Sequence, residues 1–302
     1  MDSESIEFIR SVLPGGRTVY YSFQDRHAFL ILENVIGENG ASVGELKRSR
    51  FVSLMNKKPI KDILAHSGSG KIYKEDLKQW WPGKPEAFRL TLGTWPELDE
   101  KPSKRWSQVT RYGWNLVLQL NFSSEHKRKL QELVPDWERP LRYSHHPIAK
   151  GGELTLAWSR IDLDLDKGEA LIEEIQSDWV RDVKHLANHY LEANRLAWGR
   201  YFEKVLRPET SKWSETMLTA TLWFLLNELG IKRVFYHTHE TGSLMKNINI
   251  WKPPRSIYKD LPDKFCFAIT HNGPSFVRDS GNKELWKKFT EPDTKWYMLD
   301  FS

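Results

Sequence analysis

One stretch, Ala170 to Trp179 (ALIEEIQSDW), constrains the fold more than any other. An apolar strand pattern runs directly into a helix start, and the corner between them carries Glu173, Glu174, Gln176, Ser177 and Asp178. Backbone N–H groups at a helix start attract anionic or carbonyl groups, which makes this corner a candidate ligand site. Upstream, Leu154 to Leu165 reads as a long strand, and Asp166-Lys167-Gly168-Glu169 as the turn that returns the chain antiparallel through Ala170 to Ile175. Alternation from Ile161 to Leu165 puts Asp162 and Asp164 on one face, read as the solvated one. Downstream, Met217, Leu218, Leu222, Leu225, Leu226 and Leu229 repeat at helical spacing, Gly230 is placed to end that helix in a left-handed conformation, and Ile231 to Tyr236 is a short buried strand. Its tip, His237-Thr238-His239-Glu240, is a second polar strand end. The two strand ends are expected to converge on one pocket lying between Gln176 to Trp179 and His237 to Thr241.

The rest of the chain divides more loosely. With 302 residues, 39% hydrophobic and 13% aromatic, there is material for one large domain or two. Residues 1–103 read as a small mixed or mainly helical region, and residues 104–302 as an α+β core domain with a central mixed sheet flanked by helices. The charged segment Glu97 to Arg111 between them reads as an exposed connection or flexible arm. Asn115 to Phe122 is a strand, Ser123-Ser124-Glu125 starts a helix through Leu133, and a proline-marked loop follows with Tyr143, His145 and His146. Gly68 to Lys71 invites a phosphate-loop reading, but Ala65 and Ile72 stand where that motif needs Gly and Ser or Thr, so it reads as a polar turn.

Composition narrows the setting. The 45 Lys and Arg against 40 Asp and Glu give +5, a mild excess that leaves nucleic acid open as a partner without specifying it. Cys266 is the single cysteine, so no intrachain disulfide forms, and no stretch approaches 18 apolar residues. We expect a cytoplasmic protein with no membrane association. The 14 Trp residues are spread along the chain and read as core, with Trp80, Trp81 and Trp179 as candidates for base stacking.

The site residues admit competing roles. Glu173 and Glu174 are neighbours in a strand and face opposite sides; if Leu171 and Ile175 mark the core, Glu173 is buried and needs a partner or a raised pKa, which makes it the better general-base candidate. Ser177 or Asp178 can cap the following helix, with Arg181 offering charge compensation beside Asp178. His237 and His239, two apart in a strand, point the same way and could hold a divalent metal completed by Glu240, Glu174 or His145; either histidine could instead serve as a base or bind substrate. Thr241 follows at the same tip, and Lys246 and Arg255 could present cations to this end of the sheet, with Trp251 to Pro254 as a rigid wall.

The order strand, hairpin, strand, helix, helix, strand, helix, aromatic-rich strands resembles the GCN5-related N-acyltransferase fold. That resemblance implies an acyl-CoA pyrophosphate on the backbone amides of Gln176 to Val180, and Tyr258, in Ser256 to Phe265, as the proton donor to the departing thiolate. The pyrophosphate loop of that fold is basic and Gly-rich; here it carries Asp178 and Trp179. The words IEEIQSDW, HTHETG and YKDLPDKF in this order also resemble a bacterial protein family without an assigned activity, related to a domain of large polyvalent proteins of phages and mobile elements. An enzyme of acyltransferase type, acting on a small-molecule or protein substrate, is therefore expected. A metal-dependent enzyme using His237 and His239, or a nucleic-acid-associated or mobile-element binding factor, are the alternatives.

Overall fold

Strand-forming runs separated by turn residues produce ten strands in the computed structural model, which describes residues 1–13, 18–68, 70–81, 84–100, 108–135, 146–189, 192–210, 212–248, 254–292 and 294–302. In chain order they are β1 (Thr18–Ser22), β2 (Ala41–Ser42), β3 (Lys71–Ile72), β4 (Glu86–Trp95), β5 (Asn115–Asn121), β6 (Thr155–Asp164), β7 (Glu169–Gln176), β8 (Arg233–His237), β9 (Ala268–Thr270) and β10 (Trp296–Asp300). β2 and β3 form a small pair, and the other eight make one mixed sheet in the order β1-β4-β5-β6-β7-β8-β10-β9. The fold is mixed α/β, with helices flanking this sheet. β1 and β4 come from the first hundred residues and hydrogen-bond into the same sheet as β5. The boundary placed near residue 104 lies outside the described residues.

Local chemistry explains the elements around the site. Gly168, at φ +60°, closes the β6–β7 hairpin, and β7 returns antiparallel to β6 as its turn residues require. Ser123 caps the helix Ser124–Leu133 by accepting from the His126 amide. Gly230, at φ +64°, ends the helical run from Trp213. β7 and β8 are parallel, a pairing that needs a long crossover, and the helical excursion from Asp178 onward supplies it.

The sheet has two different faces. On one, Phe88, Leu90, Leu116, Leu118, Leu120, Ile161, Ile172, Val234 and Tyr236 join the main core with the helices Arg26–Val35 and Trp213–Trp223. On the other, the register sets Thr91 opposite Gln119, Gln119 opposite Trp158, and Arg160 opposite Glu174. That polar face is buried, so its side chains bond one another: Thr91 donates to Gln119 at 2.6 Å, and Gln119 donates to the Pro147 carbonyl at 2.9 Å. Asp162 belongs here. It is fully buried and paired with Arg111 at 2.7 Å, which corrects its expected solvated placement. A smaller core of Leu171, Phe235, Met245, Phe276, Leu285, Phe289 and Trp296 seals the end of this face nearest β8 and β10.

Trp80 stacks on Phe29 with centroids 4.8 Å apart, so it packs, whereas Trp81 is exposed beside Tyr21. Among the described residues, no helix is long and apolar enough to cross a membrane.

The smaller core leaves no slack at Gly273. A Cβ there would meet Trp296 Nε1 at 2.4 Å and Cε2 at 2.5 Å, and that indole is rigid and fully buried. Gly273→Ala is expected to destabilise the fold by about 1–3 kcal/mol through overpacking, lowering the urea midpoint without changing the slope. An unchanged midpoint would contradict this packing.

Candidate functional site

The site begins with an irregularity in β7. β6 and β7 pair in step from Asp164 opposite Glu169 to Ile161 opposite Ile172; the next pair is Arg160 opposite Glu174, leaving Glu173 as an extra residue on β7. Such a bulge takes the residue out of the ladder and re-aims side chains. Pairing of β7 with β8 ends at Ile172 opposite Tyr236, so Glu173 and His237 are the first residues beyond it, His237 still pairing with Trp296 of β10.

They meet there. His237 Nε2 lies 3.1 Å from Glu173 Oε2 and 3.0 Å from Thr110 Oγ1. Thr110 donates twice to the carboxylate, from its amide to Oε1 and from its hydroxyl to Oε2, each at 2.9 Å. The Glu173 carbonyl accepts from Lys246 Nζ at 2.9 Å. Glu173, Thr110, His237 and Lys246 are all buried. Next to them Arg160 pairs with Glu174 and also donates to the Gln108 carbonyl at 3.1 Å.

The proton inventory follows from who faces whom. Burial pushes the Glu173 carboxyl up, but the His237 hydrogen bond, the charge His237 carries once protonated at low pH, and Lys246 and Arg160 prevail and hold it at about 2. Burial pushes the His237 ring down from its ordinary value, against the pull of Glu173 and with Lys246 and Arg160 adding to the effect. Its Nδ1 is buried without a hydrogen-bond partner, so a second ring proton there would be unpaired. His237 is therefore neutral, protonated on Nε2, and Glu173 is ionised. Burial also lowers the Lys246 ammonium, while Glu174 and Glu173 raise it.

This geometry answers three expectations. Glu173 is buried, and of the two things expected to make that tolerable, a partner or a raised pKa, it has the first: its donors hold the carboxyl low. The strict alternation expected of Glu173 and Glu174 is broken by the bulge: Glu174 pairs with Arg160, and Glu173, out of the ladder, holds Thr110 and His237. His237 and His239 do not point together: the strand ends at His237, Thr238 caps a helix by accepting from the Thr241 amide, and His239 is that helix's first residue. Among the described residues, no three His, Cys, Asp or Glu side chains are grouped to hold a metal ion; His145 lies outside those residues, as do Tyr143 and Trp251 to Pro253.

Beyond the Glu173–His237 contact the two strand ends part. Gln176 and Asp178 turn toward the loop at His146. Asp178 accepts from Trp158 Nε1 at 3.0 Å, Gln176 Nε2 at 2.5 Å and Arg181 at 2.8 Å, and pairs with His146 Nδ1 at 2.8 Å. Burial raises its carboxyl, yet these donors hold it below the ordinary range. Ser177 is the cap of the helix Asp178–His189, accepting from the Val180 amide at 3.2 Å. Trp179 is buried in the main core and donates to Tyr201 at 3.0 Å, so it offers no stacking face to a base.

On the other side, Thr241 donates to the Lys295 carbonyl at 2.7 Å. His239, Glu240, Arg255, Tyr258, Lys259 and Lys295 line a cleft of about 440 Å³. Tyr258 forms its inner wall, stacked on Tyr236 at 5.4 Å, with Lys246 Nζ 5.9 Å from its ring on the buried side. The cleft and the buried knot therefore share Tyr258 as a partition.

Thr110 escaped the sequence reading because it sits in the segment taken for a flexible arm; its neighbour Arg111 is tied to Asp162. Arg160 carried a visible signal, a lone cation in the middle of an apolar strand. No family model, curated protein or solved structure matches this chain.

Glu173 has an ordinary pKa of 4.5 and a folded value of about 2, so the unfolded chain takes up the proton first. The stability it lends is full above about pH 4.5 and drains as pH falls toward 2. His237 acts in the same direction, starting below its ordinary 6.5. Glu173→Gln is expected to lose roughly 1–3 kcal/mol at pH 7 and to show a shallower decline between pH 4.5 and 2, read from urea midpoints across pH. Parallel curves for the two proteins would contradict an ionised Glu173.

Proposed function

We propose that this chain is a cytoplasmic enzyme of acyltransferase type, acting in the cleft whose inner wall is Tyr258. The observation that carries this reading is the position of Tyr258. It is buried, lines the cleft, and packs on Tyr236 and beside Lys246, next to the point where pairing of β7 with β8 stops. Ligands of open α/β sheets bind outside the carboxyl ends of such strands, where the connectivity reverses. Burial, Glu174 and Tyr236 all keep the Tyr258 phenol protonated well beyond neutral pH.

The chemistry fits a thioester donor. A nucleophile on the acceptor attacks the acyl carbon, the carbon–sulfur bond breaks, the departing thiolate takes the Tyr258 proton, and the proton the acceptor loses passes through solvent to restore the Tyr258 phenol. Arg255, Lys259 and Lys295 wall the cleft without an ion-pair partner among the described residues, and Glu240 is the acid among them. They suit an anionic donor or acceptor. The donor's phosphates would not be held as the resemblance implies. At the start of the helix Asp178–His189, the Asp178 carboxylate already takes the donors of His146, Gln176, Trp158 and Arg181, and would repel a pyrophosphate. The cleft cations take that part instead. The motif resemblance to polyvalent proteins of mobile elements is compatible with this reading and adds no chemistry to it.

Acetyl-CoA and longer acyl-CoA esters are expected to raise the thermal midpoint of the protein and to release free thiol in the presence of an amine acceptor. Tyr258→Phe keeps the stack on Tyr236 and is expected to cut thiol release by about a hundredfold or more with KM little changed. Arg255→Ala with Lys295→Ala is expected to raise the donor KM by about tenfold or more. If no acyl-CoA shifts the midpoint or yields thiol, the proposal is wrong.

A further inference from the structure

β1 (Thr18–Ser22) is an outer strand of the eight-stranded sheet, and among the described residues β4 is its only backbone partner. A free strand edge presents a row of unpaired amides and carbonyls, and proteins usually blunt it with charge, proline, a bulge or a very short strand. The opposite edge follows that rule, since β9 is three residues long. β1 does not. Its five residues include no charge and no proline, and they pair with β4 in an unbroken register.

The strand is also apolar on its open face. Tyr20 and Ser22 point toward the main core and are buried, whereas Val19 and Tyr21 point the other way and are 59% and 43% exposed. Trp81, 61% exposed, stands edge-on to Tyr21 with ring centroids 6.0 Å apart and widens the patch. A single apolar side chain on a surface needs no explanation, but three side by side along a free edge do.

The order Thr-Val-Tyr-Tyr-Ser reads much the same in both directions, with a hydroxyl residue at each end, a large apolar one next to it, and Tyr20 in the middle. That matters because a two-fold interface must be complementary to itself. Antiparallel pairing about an axis at Tyr20 is the register that uses all five residues. It sets Thr18 opposite the partner's Ser22 and Val19 opposite the partner's Tyr21, and a β-branched residue across from an aromatic one is a favourable pair. No like charges meet within the strand, and Arg89, beside Val19 on β4, is already paired with Glu153.

We propose that two copies of this chain associate edge to edge through β1, joining their sheets into one continuous sheet. The Tyr258 clefts lie toward the far edges, against β9 and β10, and stay open. Area sets the strength of this contact. The exposed parts of Val19, Tyr21 and Trp81 offer roughly 300 Å² per copy, and the backbone edge adds to it, against about 800 Å² per partner in a standard stable interface. Arg26, 4.1 Å over the Tyr20 ring, also approaches its own copy near the axis. The dimer is therefore weak and reversible.

Sedimentation equilibrium of the full chain from about 1 to 500 µM is expected to show a monomer–dimer equilibrium with a Kd of about 10–100 µM. Val19→Lys puts a charge on the free edge and is expected to weaken association about tenfold or more, while the thermal midpoint of the dilute protein stays at the parent value. Trp81→Ser is expected to weaken it by a smaller factor, again without loss of stability. A chain that stays monomeric at the highest concentration would overturn the proposal and leave the edge to a strand of another protein. Dimerisation of Val19→Lys at the parent's Kd would overturn it too, by placing the contact elsewhere.

Discussion

A buried carboxylate organises this molecule. Glu173 sits out of the β-ladder with its oxygens taken by Thr110 and His237 and its carbonyl by Lys246, so three separate stretches of chain are pinned to one bulged residue. An isolated carboxylate in such a place would be untenable. Here it is supplied with donors and flanked by cations, which makes it a structural anchor and removes it from general-base duty. The bulge also decides where pairing of β7 with β8 stops, and hence where the Tyr258 cleft opens.

The two faces of the sheet divide the work. Aliphatic side chains on one face bind the long helices and carry most of the apolar burial. The opposite face is polar and still buried, and its hydrogen bonds and ion pairs hold Gln119, Asp162, Arg160 and Glu174 in single arrangements. Interiors of this kind reward complete satisfaction and penalise any missing partner. That property gives the site rigidity.

Sequence periodicity revealed the β6–β7 hairpin, the capped helix after Ser123 and the Gly230 stop; the shared pocket expected between Gln176 to Trp179 and His237 to Thr241 is not there, because only Glu173 and His237 meet and the corner after Ile175 turns toward His146. The hairpin, the cap and the stop depend on local chemistry: turn glycines, cap hydroxyls and apolar spacing. What escaped it depends on tertiary context. Period-two alternation assumes an unbroken ladder, and the bulge at Glu173 breaks it, so the sides assigned to Glu173 and Glu174 did not hold. The pair His237 and His239 failed for a related reason, because Thr238 is a helix cap and ends the strand between them. Thr110 and Arg111 carry charge and polarity typical of an exposed segment, and only the buried acids Glu173 and Asp162 on distant strands give them a reason to be inside.

The account stands or falls on the protonation of the Glu173–His237 pair, which ¹⁵N NMR of the His237 imidazole at neutral pH reads directly. It predicts a neutral ring with the proton on Nε2 and a bare Nδ1, beside an ionised Glu173. A doubly protonated ring would contradict it.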